Sequence, residues 1–247
     1  MSLALAALTG LAIGFLSGLM GKGGSAIATP LLHAIGFPAI IAVASPLPAA
    51  VPSTMMAGWA YSRQRLVDWR VVRWSVLFGV PSTAAGALMT SWVSGNVLVR
   101  VTDVVLIALG IRMAISAYRP ARSAVQHTVP EAWQLATVAV SVGVISGLLA
   151  NSGGFLLAPL FITALKLPIK SALASSLAVS TFLAIPGTIV HALLGHINWT
   201  LVLVFGSTSV PLAFLGARTA MRIDAHRLER GYGAMLVLLG VVFLIIA

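Results

Sequence analysis

Cysteine is absent from the 247 residues, which excludes a disulfide, a thiolate nucleophile and any cysteine-ligated metal. Acidic side chains are almost as scarce: Asp68, Asp103, Glu131, Asp224 and Glu229 are the complete set. Charged residues of both signs make up 8% of the chain, against about 25% in an average soluble protein. The alternating polarity that a spanning β-barrel needs, in segments of about 10 residues, is missing too. What is present is apolar. The chain is 59% hydrophobic with mean hydropathy +1.04, and apolar runs of roughly 18 or more residues recur along its length. Helices close their own backbone hydrogen bonds in lipid, so the expected class is an all-α polytopic membrane protein.

The net charge of +10 comes from 15 basic against 5 acidic residues. In a membrane chain this surplus reads as the positive-inside bias of cytoplasmic loops, with the bilayer and not nucleic acid as the partner. The opening stretch MSLALAALTGLAIGF has no basic n-region and no clear A-x-A site. It reads as the first membrane segment and not as a cleaved signal.

The chain repeats itself. Gly14 to Leu31, GFLSGLMGKGGSAIATPL, returns 129 positions later as Gly143 to Leu160, GVISGLLANSGGFLLAPL. Further matches follow at an offset of 130: Ser45 with Ser175, Trp69 with Trp199, Pro81 with Pro211, Gly86 with Gly216. Two hydrophobic halves, each broken by glycines in its first apolar segment, are the signature of a repeat-built transporter. The first repeat is taken as residues 1–118 and the second as 131–247, joined by a cytoplasmic linker at 119–130.

Apolar runs fall near 3–20, 25–36, 41–61, 71–92, 97–117, 132–150, 155–166, 171–194, 199–219 and 230–247. The runs 25–36 and 155–166 cover only about 18 Å as helix, against a hydrocarbon core of about 30 Å. About eight full transmembrane helices are therefore expected, plus two short helices that return from the glycine breaks as helical hairpins. If all ten runs reverse the chain, one side receives Arg63, Arg65, Arg70, Arg73, Arg112, Arg119, Arg122, Lys166, Lys170, Arg218, Arg222, Arg227 and Arg230. The opposite loops, near 36–40, 92–97, 151–154 and 195–198, contain no Lys or Arg. An odd number of runs per half makes the two repeats inverted, and charge swaps accordingly: Arg65 corresponds to Gly195, Lys166 to Gly36, Arg222 to Trp92. The alternative is a parallel four-plus-four duplication. The inverted reading puts basic loops in the cytoplasm and both termini outside. Trp59, Trp69, Trp92 and Trp199 lie near run ends, as an aromatic belt requires.

The strings SGLMGKGGSAIATPLL and AVAS, with their echoes SGLLANSGGFLLAPL, ALASS and GHINW, resemble the sulfite exporter TauE/SafE family of membrane transporters over nearly the whole chain. The resemblance implies an inner-membrane permease for a small anion, often a sulfur-containing one such as sulfite or an organosulfonate. Two departures stand out: Asn151-Ser152 where a glycine-rich stretch is common, and the cation Lys22 inside the first break.

The residues themselves point to anion chemistry. Gly21, Lys22, Gly23, Gly24 and Ser25 lead into a short helix, and Asn151, Ser152, Gly153 and Gly154 repeat the arrangement. Glycine permits unwound backbone and close approach of a ligand. The first N–H groups of the following helix lack partners and carry the positive end of its dipole. Two breaks meeting near the midplane would make one site reached alternately from either face. The bland reading is close helix packing and a simple hairpin turn. Ser45 and Ser175, at equivalent places just inside proline-containing or hydroxyl-rich runs, are further substrate candidates. Lys22 either marks the cytoplasmic end of the hairpin or is a buried cation.

A P-loop is ruled out, because Leu16 stands where it needs Gly and Gly23 where it needs Ser or Thr. Any driving force is then a gradient, with proton or sodium as the coupling ion. Asp103 and His191 are the candidates for proton coupling; an i, i+3 pair with Arg100 explains Asp103 otherwise. No catalytic residue, metal or cofactor is expected. Two competing functions are a passive anion channel and an intramembrane hydrolase using Ser152 with His191 or His196. Helix faces exposing small residues suit internal packing and a homo-oligomer equally.

Overall fold

The computed structural model describes residues 2–21, 25–98, 130–225 and 227–228, with positions 100, 101, 104, 108, 111, 231, 234 and 238. Lys22, Gly23, Gly24, Asp103, nearly all of the linker 119–130 and most of the runs 97–117 and 230–247 lie outside the described residues. Among those described, all regular structure is helical: α1 (Ser2–Met20), α2 (Ser25–Ala34), α3 (Ala39–Ala44), α4 (Pro46–Ser62), α5 (Trp69–Met89) with a 3-10 turn at Thr90–Trp92, α6 (Ala132–Leu148), α7 (Gly154–Thr163), α8 (Ile169–Leu193) and α9 (Trp199–Arg222). Five helical stretches here are long and apolar enough to cross a membrane: Leu3–Met20, Ala39–Ser62, Trp69–Trp92, Ile169–Leu193 and Trp199–Arg222. The two helices that follow the breaks have 10 residues each, about 15 Å, as their short apolar runs predict.

The run 41–61, which Pro46, Pro48 and Pro52 interrupt in the sequence, is divided at Ser45. Pro46 and Pro48 have no N–H to continue the ladder, so α3 ends and α4 restarts with proline in its first turn. The equivalent run has Ser176 and Ala178 at those places and continues as the unbroken α8. Helix starts are capped in matching fashion. Asp68 Oδ1 accepts from the Arg70 and Val71 amides at 3.0 and 3.2 Å, and Asn198 Oδ1 accepts from the Leu201 amide at 3.0 Å. Glu131 and Gln134 form a capping box at α6.

Each half's first helix packs on a long helix of the other half: α1 on α9, α6 on α5. The seams are glycine-lined. A Cβ on Gly18 would lie 1.8 Å from the Ala213 carbonyl oxygen, and one on Gly147 would lie 2.1 Å from that of Thr83. Gly86 against Val144 and Gly216 against Phe15 repeat the device at 2.2 and 2.0 Å. Backbones this close need small residues, the usual way of joining helices where no hydrophobic drive exists between them. Some large apolar side chains point outward, with Leu8, Leu77, Leu88 and Leu203 all 58–72% exposed, while Tyr61, Phe155, Phe161 and Leu135 pack in the interior among many Ser and Ala residues. Helices α4 and α8 meet at the centre, where the Thr54 and Thr181 hydroxyls lie 2.9 Å apart.

The duplication is visible in the backbone. Positive φ occurs at the equivalent pairs Gly21 and Ala150 (65° and 47°), Gly36 and Lys166 (103° and 55°), and Arg65 and Gly195 (55° and 72°). The remaining left-handed residue is Gly153 at 76°, whose equivalent is Gly24.

Candidate functional site

Each break is anchored on its surroundings by hydrogen bonds. Gly21, in the left-handed conformation at the end of α1, sits against Leu173 of α8 so tightly that a Cβ would come within 2.6 Å of the Leu173 Cα. Its carbonyl accepts from the Ser176 hydroxyl at 2.7 Å. In the second break the Asn151 amide donates to the Ser146 carbonyl at 2.9 Å, and the Gly153 amide donates to Asn151 Oδ1 at 2.8 Å. Gly153 then caps α7, its carbonyl accepting from Leu156 and Leu157.

The two breaks meet. Ser25 opens α2 and is 1% exposed; Ser152 is fully buried. The Ser152 amide donates to Ser25 Oγ at 3.1 Å, and the two hydroxyl oxygens lie 3.5 Å apart. Ser25 is thus brought against Ser152 and the adjoining Asn151, Gly153 and Gly154 across 127 residues of sequence, while Gly21 is held on α8. Beside them lies a void of about 10 Å³, room for one water, lined by the hydroxyls of Ser17, Ser25, Ser53 and Ser209 with Ile13 and Phe205. Ser53 bonds both to the Ala49 carbonyl at 2.8 Å and to Ser209 at 3.2 Å.

Ser45 and Ser175 have their hydroxyls engaged elsewhere. Ser45 Oγ accepts from the Asn198 amide at 3.0 Å, and Ser175 Oγ accepts from the Asp68 amide at 2.9 Å. These bonds are equivalent and reciprocal: each serine holds the capping residue that starts a long helix of the other half, α9 and α5. Each stands one residue from a group at the centre, Pro46 on the void and Ser176 on Gly21.

His191, fully buried near the end of α8, places its Nδ1 3.2 Å from that of His196 in the loop beyond. Burial pushes the His196 ring below its ordinary pKa of 6.5. The equivalent of His191 is Tyr61, whose hydroxyl donates to the Gly18 carbonyl at 3.4 Å. Neither Ser152 nor His191 is hydrogen-bonded to the other, since Ser152 bonds to Ser25 and His191 to His196.

The polar lining of the described centre is neutral: serine and threonine hydroxyls, the Asn151 amide and backbone N–H groups. Such groups, together with the start of a helix, offer hydrogen bonds and partial positive charge to an anion. Sequence reasoning missed Ser17, Ser146 and Ser209 as contributors. The signal for the first two was in the repeat itself, since both stand at the same place in GFLSGL and GVISGL.

The family profile described as "Sulfite exporter TauE/SafE" matches residues 6–243. Curated relatives include two proteins named "Probable membrane transporter protein" from Xylella fastidiosa. The one from strain 9a5c is 29% identical over 237 residues, and the one from strain Temecula1 is 27% identical over 230; both alignments span 91% of this chain and 88% of the relative. "Probable membrane transporter protein YjnA" of Bacillus subtilis is 25% identical over 242 residues, spanning 90% of this chain and 92% of its own. No solved structure is a significant match. With the profile covering nearly its whole length, the chain belongs to the sulfite exporter TauE/SafE family of membrane transporters.

Proposed function

We propose that the protein is a gradient-driven carrier of a small anion, with a sulfur-containing anion such as sulfite or an organosulfonate as substrate. The substrate site lies where the two glycine breaks meet, and it opens alternately to either side of the inner membrane. The observation that carries this reading is the buried Ser25–Ser152 contact, because a midplane site shared by two repeats requires the breaks to touch. Further support comes from the reciprocal pairs Ser45–Asn198 and Ser175–Asp68, the contact pattern that a two-fold relation between halves produces. Combined with the one-sided basic clusters, that relation favours inverted repeats, basic loops in the cytoplasm and both termini outside. A void with room for one water supports an occluded carrier over a continuously open channel.

Counterflow in proteoliposomes tests it. Vesicles preloaded with one anion are challenged with labelled sulfite, sulfate, thiosulfate and methanesulfonate. Saturable, trans-stimulated uptake of at least one, lost in Gly153→Leu, is the expected result. Uptake that never saturates and gains nothing from preloading identifies a channel. Varying the proton and sodium gradients in the same vesicles names the coupling ion.

A further inference from the structure

Besides His191 Nε2, four buried polar atoms among the described residues have no hydrogen-bond partner: the hydroxyl oxygens of Ser75, Ser146 and Ser180 and the amide nitrogen of Asn151. The three serines are fully buried and Asn151 is 1% exposed. Their places are not scattered. The void in the first half is lined by Ser17, Ala50 and Phe205, and the positions equivalent to these are Ser146, Ser180 and Ser75. Packing supports the correspondence. The Leu183 side chain reaches within 3.1 Å of where a Cβ on Gly79 would stand and within 3.2 Å of one on Gly153. Ser180 is one helical turn before Leu183, and Ser75 one turn before Gly79. Ser146 Oγ lies 2.9 Å from the Cβ position of Gly153. Asn151 Oδ1 is taken by the Gly153 amide, which leaves its nitrogen as a free donor.

Burying a donor without a partner is costly, and folded proteins carry few of them. Here α5, α6, α8 and the second break each contribute one, those of Ser146 and Asn151 beside the N-terminus of α7. The described first-half hydroxyls at the void are bonded by contrast, Ser25 to Ser152 and Ser53 to Ser209.

We infer that Ser75, Ser146, Asn151 and Ser180 are the donor set that holds the transported anion, so that the second half recognises the ligand. The inference rests on the carrier reading above. Several neutral donors at the positions equivalent to a void lining suit a head group with three acceptor oxygens, such as sulfite or a sulfonate. A carboxylate offers two oxygens whose acceptor directions lie near one plane, so it meets donors arriving from four different segments with poorer geometry and is bound more weakly.

The test pairs affinity with stability in purified protein. Sulfite, methanesulfonate and acetate are titrated calorimetrically into wild type, Ser146→Ala, Ser180→Ala and Thr188→Ala, the last removing a hydroxyl bonded within its own helix. Thermal unfolding is followed without ligand. Ser146→Ala and Ser180→Ala are expected to weaken sulfite and methanesulfonate by at least about tenfold while leaving the ligand-free Tm unchanged or higher, since each removes an unpaired hydroxyl. Thr188→Ala leaves affinity unchanged. Unaltered affinity in both serine variants, in a wild type that binds, overturns the donor set alone. So does a lowered Tm in both, which marks a structural role. Acetate binding as tight as methanesulfonate overturns the three-oxygen head group, and wild type that binds none of the probes overturns the anion reading itself.

Discussion

Lys166 and Arg65 hold left-handed backbone conformations that glycine adopts at their equivalents Gly36 and Gly195. A side chain in that region costs roughly 1–2 kcal/mol, so something outweighs local preference at these two turns. Both belong to the basic clusters, where the proposed topology gives a positive charge the role of fixing orientation in the membrane. Lys166 is exposed, so Lys166→Gly is expected to raise stability by up to about 1 kcal/mol in chemical denaturation, the strain relief being partly offset by unfolded-state entropy. Gly36→Ala bears conformational strain only, because nothing lies within 4 Å of its Cβ position, whereas Gly153→Ala adds a clash with Ser146. Gly153→Ala should therefore be the more destabilising of the two.

His196 supplies a pH dependence at the same scale. Its ring is held below 6.5 in the folded protein, so the unfolded chain takes up the proton first as pH falls. Stability contributed by the neutral ring is complete above about 6.5 and declines below it. His196→Gln should flatten the fall in Tm between pH 7 and pH 5; an unchanged profile assigns that fall to other groups.

Among the elements, the glycine seams decide which helices join. A methyl group on Gly18 or Gly147 meets backbone and not a yielding side chain, so Gly18→Ala and Gly147→Ala should each cost about 1–3 kcal/mol. Thermal unfolding in detergent checks this. The short α2 and α7 were legible in the sequence because apolar run length is a local property. So were the breaks, since glycine clusters are. The division at Ser45 was only half legible: the prolines of run 41–61 mark an interruption, but its place depends on which carbonyl loses its donor. Pairings between elements were not legible at all. That Ser45 holds Asn198 and Ser175 holds Asp68 depends on packing between segments more than 100 residues apart. Both serines were singled out for their equivalent positions. Their bonds show why equivalence alone does not tell a ligand contact from a structural clamp.

At the scale of the molecule, the two halves interlock, α1 with α9 and α6 with α5, around the central α4–α8 contact. An interlocked pair cannot open by pulling the halves apart. For the proposed carrier, alternating access would come from shifts of the breaks and short helices against α4 and α8. The proposed orientation adds a separate expectation: a reporter fused to the C-terminus is accessible from outside, and one found in the cytoplasm contradicts the inverted arrangement.

The absence of cysteine makes the central claim directly testable. Ser25→Cys and Ser152→Cys together place two thiols where hydroxyl oxygens lie 3.5 Å apart, with no background thiol. Oxidation of this double variant in proteoliposomes, followed by exchange of labelled methanesulfonate, asks whether the breaks must separate for transport. Cross-linking is expected to stop exchange and a reductant to restore it, with each single variant unaffected by oxidant. Undiminished exchange through fully cross-linked protein would contradict a site that opens between the two breaks.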